Sequence, residues 1–590
     1  MLFKYSLKRV PVAQRVSLST QWRIAWVFLL LIMAIYAFRI GDQAVLRYTT
    51  FQADAFDLGN MDQAIWNTLH GRPFQFTNQG SDNYGPPTRL ATHVEPIIFL
   101  LSLLYLFHAD ARILLIFQTL VLVAGALPVF LLARKLLPRL PLLAFIMAAA
   151  YLASPALLGL NLYDFHPVSL ATPLLLYAVL ALEYRRYGWF LLACLLACAC
   201  KEDVPLAVAM LGVLILWKYR LPRLGILLIV AGFLWSALAF FVIMPHFFPG
   251  EQHNNYWYRY AATLGSTPSA AVVNLLLHPW LLFTLFISLD RVYYLASLLR
   301  SSGFLALLAP EWLLPTLPSL AVNMLANGDA YHSGVYQYNA AIIPFVMIAA
   351  VHGMRRLIML WSYWRGEPAE MVQSEPVHAS GLSRFALPVP DWLSGALILS
   401  RLKRVAHVFV MWPIVQSLCV RFAVLSQWSR RQWQHVSARM SDLAILVPIS
   451  TFQWSIAGWI VVMFVLNYSI MMPWLSAFWP DHQPGLREQR IEQLLTLIPP
   501  DASVSASGNI NPHLTERRYV TVFPEITLAT ADAGISHTVK YVIVDLDDLS
   551  PEDKTRSANY VKVLNQLQRS HQFHQLAQVD GVVVLVRDHP

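Results

Sequence analysis

Long apolar runs separated by short polar intervals fill most of the first 356 residues. Taking about 20 apolar residues as one crossing, the runs predict helices over 24–40, 112–133, 140–156, 168–183, 188–200, 204–217, 223–244, 292–309, 311–326, 339–352 and 454–474. That is about eleven spans, a multipass α-helical membrane protein. The run 97–107 is too short to cross and reads as a juxtamembrane or re-entrant helix on the outer face. The longest polar interval of the first half, Phe51 to Pro96, carries Asp54, Asp57, Asp62, Asp82, His93 and Glu95. Inside it Leu58, Met61, Ile65 and Leu69 recur at spacings of 3, 4 and 4, one face of an amphipathic helix that ends near Gly71. After residue 480 the period changes: REQRIEQLLTLIP reads as a helix, and SVSAS, YVTVF, YVIVDL and GVVVLVR read as strands. Their alternation predicts a small α/β unit of about 100 residues.

Composition agrees: 57% hydrophobic and only 13% charged residues over 590 positions exclude a soluble globule with a charged surface. The net charge of +9 is spread in short clusters, so it signals topology and not a nucleic-acid patch. With the basic N-terminus (Lys4, Lys8, Arg9, Arg15, Arg23) in the cytoplasm, Arg134 with Lys135 and Arg139, then Arg185 with Arg186, then Lys218, Arg220 and Arg223, then Arg355 with Arg356 all fall on that side. No small-residue cleavage site follows the first run, so it is expected to stay as a helix. The loops 41–111, 157–167, 245–291 and 327–338 are then external, and so is the C-terminal α/β unit. The expected organisation is a membrane domain over 1–356, an Arg- and Trp-rich cytoplasmic insertion over 357–450, a last span over 451–479 and an extracytoplasmic domain over 480–590. Apolar residues 405–424 of the insertion predict an interfacial helix or a helical hairpin. Cys194, Cys198, Cys200 and Cys419 show neither a disulfide framework nor metal spacing.

Polar clusters at the outer helix ends carry the candidate chemistry. Asp57 opens the amphipathic helix, where it is either an N-cap or, beside an external cavity, a general base. Asp54 and Asp62 flank it; His93 and Glu95 precede Pro96. Asp164 and His166 stand in NLYDFHP, as a hydrogen-bonded loop or as two ligands of a divalent metal. Lys201, Glu202 and Asp203 form KEDVP between two short apolar arms. The plain reading of that triplet is a Lys201–Glu202 pair with Asp203 capping the next helix; the functional one makes Lys201 a phosphate-binding cation. Arg300, inside a predicted span, needs a phosphate or carboxylate partner. His246, Glu251, His253, Tyr256, Trp257, Tyr258 and Arg259, and then Tyr331, His332, Tyr336, Gln337 and Tyr338, form either an interfacial aromatic belt or a stack for a sugar ring. No P-loop, GxSxG, HExxH or dinucleotide fingerprint is present, so soluble-nucleotide chemistry is unsupported.

FDLGNMDQAIWNTLHG, THVEPIIFLLSLLY, LPVFLLARKLL, NLYDFHP, KEDVPL and IPPDASVSASGNINPHL closely resemble the bacterial predicted membrane proteins called domain of unknown function 2079. The resemblance covers most of the chain outside the Arg- and Trp-rich insertion, and it brings no established activity. More distantly the layout is similar to GT-C glycosyltransferases, which use polyprenyl-phosphate sugars at the outer membrane face. That likeness implies a catalytic acid at Asp57, a later stretch at Glu95-Pro96, and a lipid-linked sugar with an external acceptor as partners. The acidic doublet common in that superfamily is replaced here by Asp57-Leu58. Membrane lipids are expected partners and nucleic acid is not. The competing class is a transporter or lipid-binding membrane protein without bond chemistry, and a third is a structural membrane protein with an external interaction domain; no internal repeat marks a transporter, and the polar residues gather near one face.

Overall fold

The computed structural model describes residues 16–78, 88–248, 257–366, 446–480, 482–528, 537–547 and 556–588, with single positions between 436 and 444. Asp82, Glu251, His253, Tyr256, Cys419 and most of 357–450, including 405–424, lie outside them. Five described helices are long and apolar enough to cross a membrane: Leu18–Thr49, Ala111–Leu136, Pro222–Phe247, Ile343–Trp364 and Thr451–Phe478. A sixth crossing is available if Pro141–Leu152 and Pro155–Leu162, bent by 42°, act as one. Pro167–Glu183, Tyr187–Cys198 and Val204–Tyr219 are apolar but shorter. The first helix shows why it belongs in lipid. Val27, Phe28, Leu30, Leu31, Ile35 and Phe38 face outward, while Leu29, Tyr36 and Ile40 are buried in the helical core.

Two predicted spans fail to form. Within 292–309 the helix Leu289–Arg300 stops, because Gly303 and Phe304 both adopt left-handed φ values of 60°. Within 311–326 the backbone is a 3-10 turn over Pro310–Thr316, with Pro315 inside it, followed by the short helix Leu317–Leu325. Each of these prolines withdraws a backbone donor that a continuous helix needs. Among the described residues five helices, or six with the bent pair, are long and apolar enough to cross, fewer than the expected count of about eleven. The 97–107 stretch is short, as expected: Ile98–Ser102 is helical and Leu103–Leu106 is 3-10, with Phe99, Leu100, Leu103, Leu106 and Phe107 turned outward.

The C-terminal unit begins with the helix Leu486–Leu495, whose first turn is closed by the Gly485 amide donating to Glu488 Oε2 at 2.7 Å. Its strands are β1 (Val504–Ala506), β2 (Val520–Val522), β3 (Thr527–Leu528), β4 (His537–Thr538), β5 (Tyr541–Asp545), β6 (Phe573–Val579) and β7 (Val582–Arg587). The main sheet has the order β2-β1-β5-β7-β6, parallel between β2, β1 and β5 and antiparallel from β5 onward; β3 and β4 form a separate hairpin pair. The four segments expected to be strands are β1, β2, β5 and β7; β6 carries too little apolar alternation to be read in advance, and the amphipathic helix Arg556–Arg569, with Tyr560, Val563, Leu564 and Leu567 on its inner face, was not read from its period.

This unit sits on the first loop. Phe51 enters its core beside Ile491, Val504 and Ile510, and His513 stacks on Tyr48 and Phe51 at 4.0 and 4.1 Å. Asn78 and Asn511 exchange two amide hydrogen bonds of 2.7 Å, and Gln63 Nε2 donates to the Arg517 and Arg518 carbonyls at 3.2 and 3.1 Å. The approach is close enough to require Gly59, where an added Cβ would lie 2.7 Å from Asn511 Oδ1 and 2.8 Å from Asn78 Nδ2. Loop and C-terminal unit thus share one face of the helical body.

Candidate active site

The loop turns into its helix through a π-helical segment, Ala55–Gly59, before the regular helix Asn60–Leu69. Such one-turn π segments widen the helix and reset side-chain directions. Asp54, not Asp57, is the N-cap, its Oδ1 accepting from the Phe56 amide at 2.7 Å. That frees the Asp57 carboxylate for other partners. Its Oδ2 accepts from the Tyr163 hydroxyl at 2.5 Å and its Oδ1 pairs with His166 Nε2 at 3.0 Å. Burial pushes the Asp57 carboxyl up, but His166 and Tyr163, with the field of Arg89, hold it below the usual carboxylate range. An ionised carboxylate only accepts, so Nε2 carries the hydrogen of this contact. In the neutral ring Nδ1 is then the bare nitrogen, and it is buried without a hydrogen-bond partner among the described residues.

The NLYDFHP segment is shaped to deliver these groups. Asp164 takes a left-handed φ of 35°, a conformation open to Asp more than to most residues, and its carboxylate spans the loop junction. Its Oδ1 accepts from Arg47 Nε at 3.3 Å and its Oδ2 from the Asp54 amide at 3.0 Å. Burial raises the Asp164 carboxyl against the pull of Arg47. Gln118 closes the other side, donating to the Asp164 carbonyl at 3.0 Å and accepting from the His166 amide at 3.1 Å. Tyr163 stacks on His166 with centroids 5.4 Å apart and meets Tyr336 edge-on at 4.8 Å and Phe478 at 5.2 Å. Tyr336 reaches it because Gly159 lets the 330s loop close in; a Cβ there would fall 2.1 Å from the Val335 carbonyl oxygen.

A second polar group lies beside this one, close enough for Arg89 to act on Asp57. Glu202 takes His93 Nδ1 at 2.9 Å and the Val94 amide at 3.1 Å, and Arg89 grips Glu95 through NH2 at 2.8 Å and Nε at 3.2 Å. Lys201 pairs with Asp203 at 3.7 Å, so the expected Lys201–Glu202 pair is replaced by two separate ones. Asp203 occupies the N-cap position of Val204–Leu214 but makes no side-chain cap bond. Asp62 turns away from both groups, accepting from Tyr105 and from Thr515 Oγ1 at 2.5 Å in the contact with the C-terminal unit. Arg300 is buried, donates to Asn467 Oδ1 at 3.0 Å, and has no carboxylate partner among the described residues. In the aromatic group, Arg259 lies 5.0 Å over Tyr331.

Asp57, Asp164 and His166 do not form a metal set, since both Asp164 oxygens are committed to Arg47 and Asp54; among the described residues no three His, Cys, Asp or Glu side chains are placed to share an ion. Tyr163, Arg47, Arg89 and Phe478 were not singled out by sequence reasoning, and Tyr336 was read only as part of an aromatic belt or sugar stack. Tyr163 adjoins Asp164 inside the same motif, and Arg47 is a cation at the end of the first span that was expected to face outward, against the positive-inside trend; both signals were available.

The sequence matches the predicted membrane proteins of the DUF2079 family over residues 47–367 and 403–584. The chain belongs to that family. The DUF2079 match takes in Arg47, Asp57, Tyr163, Asp164, His166, Tyr336 and Phe478. No curated protein matches this DUF2079 chain. Among solved structures it is similar to ArnT from Cupriavidus metallidurans in the apo state, at 12% identity over 96% of this chain and 98% of that one, with a TM-score of 0.44. The same protein bound to undecaprenyl phosphate gives 12% identity, 94% and 97% coverage, and 0.41. The oligosaccharyltransferase AglB from Archaeoglobus fulgidus, in complex with an inhibitory peptide and a dolichol-phosphate, gives 13% identity, 95% and 75% coverage, and 0.35.

Proposed function

We propose that this DUF2079 protein is a GT-C-like glycosyltransferase of the plasma membrane, moving a sugar from a polyprenyl-phosphate donor to an extracytoplasmic acceptor. The observation that carries the reading is the Asp57–His166 contact with the buried, unpartnered Nδ1 of His166 behind it. A carboxylate that fixes an imidazole through one nitrogen and leaves the other bare is the arrangement of a general base. In this reading His166 Nδ1 takes the proton of the acceptor hydroxyl and Asp57 stabilises the imidazolium that results. The acceptor oxygen bonds to the anomeric carbon, the bond from that carbon to the phosphate oxygen breaks, and the electron pair leaves with the lipid phosphate. Lys201 and Arg300 are the cations proposed to neutralise that phosphate. His93, Glu95, Glu202 and Asp203 shape the neighbouring wall, while Asp54 and Asp164 hold the loop in place.

The membrane domain would span 1–356 with a cytoplasmic N-terminus, 357–450 would be the cytoplasmic insertion, and 480–590 would cover the site from outside after the last span. Purified protein in nanodiscs, offered a panel of polyprenyl-phosphate sugars, is expected to release free polyprenyl phosphate in the presence of membrane glycan acceptors. Release at the wild-type rate by His166→Ala would overturn the assignment.

A further inference from the structure

At one end of the C-terminal sheet lies a cavity of about 270 Å³, lined by Ser503, Tyr519, Leu528, His537, Thr538, Lys540 and Arg587. The topology gathers these residues. Ser503, Tyr519 and Lys540 each stand one position before β1, β2 and β5, which run parallel, and Arg587 ends β7, which runs back beside β5. The β3–β4 pair contributes Leu528, His537 and Thr538 from the side.

Among the described residues the lining is cationic and holds no acid. Lys540 Nζ donates to the Arg587 carbonyl at 2.8 Å, and Arg587 NH1 lies 3.5 Å from the Thr538 carbonyl. Among the described residues neither cation has a carboxylate partner. Two adjacent cations without a counter-ion, facing a concave surface, favour an anion. The rest of the wall has a different chemistry: the Tyr519 ring and Leu528 offer an apolar face, and the Ser503, Thr538 and Tyr519 hydroxyls offer hydrogen bonds. The volume is just under the roughly 300 Å³ at which small-molecule sites usually begin. It suits one monosaccharide-sized group.

The cavity is also placed next to the first loop. Thr77 Oγ1 donates to the Val520 carbonyl at 2.8 Å and accepts from the Val520 amide at 3.0 Å, one residue from Tyr519. A ligand held here therefore lies beside the seam between the C-terminal unit and the loop that carries Asp57.

We propose that this cavity binds an acidic sugar, a pyranose bearing a phosphate or a carboxylate, with Lys540 and Arg587 on the acid group and Tyr519 against the ring. The site is separate from the Asp57 cluster, and its binding can be read with no glycosyl transfer at all.

The test is calorimetric titration of the full-length protein in detergent with glucose 1-phosphate, glucuronic acid, inorganic phosphate and neutral glucose. At least one acidic sugar is expected to bind saturably, about tenfold or more tighter than glucose and than inorganic phosphate. Lys540→Met and Arg587→Gln should each weaken it about tenfold, and Lys540→Arg should retain it. His537→Gln, at an exposed position, gives a second measure in case the sheet-end variants unfold, and thermal melting identifies any that do. Binding of glucuronic acid alone assigns a carboxylate, and of glucose 1-phosphate alone a phosphate; either supports the proposal. No binding of either acidic sugar, affinity unchanged in all the folded charge-removing variants, or glucose or inorganic phosphate binding as tightly as the acidic sugars would overturn it.

Discussion

Asp57→Asn separates the proposed chemistry from mere packing, because asparagine keeps the size of the side chain and changes only which atoms donate. The amide oxygen can still accept from the Tyr163 hydroxyl that now lies 2.5 Å away. The amide nitrogen then faces His166 Nε2, at the place where Asp57 Oδ1 stands 3.0 Å from it. Two donors cannot share that contact, so the ring proton moves to Nδ1, and the base atom is blocked. Losing a positioned general base costs about 10²–10⁴ in rate. At about 1.36 kcal/mol per decade that is roughly 2.7–5.4 kcal/mol of transition-state stabilisation. The loss should fall on kcat, with KM changed by less than about threefold, since the acceptor still meets the same walls. The assay is the initial rate of polyprenyl phosphate release in nanodiscs across donor concentrations, with melting temperature recorded for both proteins. A variant that keeps more than a tenth of the wild-type kcat while melting normally would refute the base assignment, as would a loss confined to KM.

Three further outcomes are expected. Tyr163→Phe removes a donor that lowers the Asp57 carboxyl, so the acid limb of the rate profile should move to higher pH; an unmoved limb contradicts that role. Asp62 is pushed up to about 7 by burial, against the hydrogen bonds of Thr515 and Tyr105, and Glu516 is pushed the same way. Through Asp62 the folded state holds a proton that the unfolded chain releases near pH 3.9; this contribution to stability is full below that value and is lost as pH rises toward 7, and the raised Glu516 carries the fall on toward 9. Melting curves of Asp62→Asn should show a shallower fall between pH 5 and 7 than wild type, and an equal slope would count against the linkage. Gly59→Ala drives a methyl into the Asn78–Asn511 amide pair and should cost about 1–3 kcal/mol, read as earlier proteolysis of the C-terminal unit; unchanged protease resistance would show that the contact yields.

How much of this was legible beforehand depends on whether a signal is local. Apolar runs revealed the crossings where a helix is continuous, and misread 292–326 because composition hides the left-handed turn at Gly303 and Phe304 and the effect of Pro310 and Pro315. Asp57, Asp164 and His166 each stood out as polar residues at outer helix ends. The bonds among them did not, since Asp57 and His166 are 109 positions apart and nothing in either segment encodes the register of their meeting. Of the two readings left open for Asp57, the N-cap goes instead to Asp54 three residues earlier, because the chain makes a π turn where a regular helix was expected. Asp62 was grouped with its neighbours in sequence, and only the packing of Thr515 and Tyr105 against it shows that it belongs to another contact.

The seam between the first loop and the C-terminal unit sets an order on biosynthesis. Asp62 waits for Thr515, which lies 453 residues downstream, and the partners of Gln63 and Asn78 are equally remote. At about 5–20 residues per second, roughly 20–90 seconds pass between the ribosome's delivery of the loop and of the groups that satisfy it. Over that interval Asp62, Gln63 and Asn78 lack the downstream partners that satisfy them. The segment that meets the first loop is thus made long after it, and a chain that stalls before Asn511 would carry Asp62, Gln63 and Asn78 without these partners.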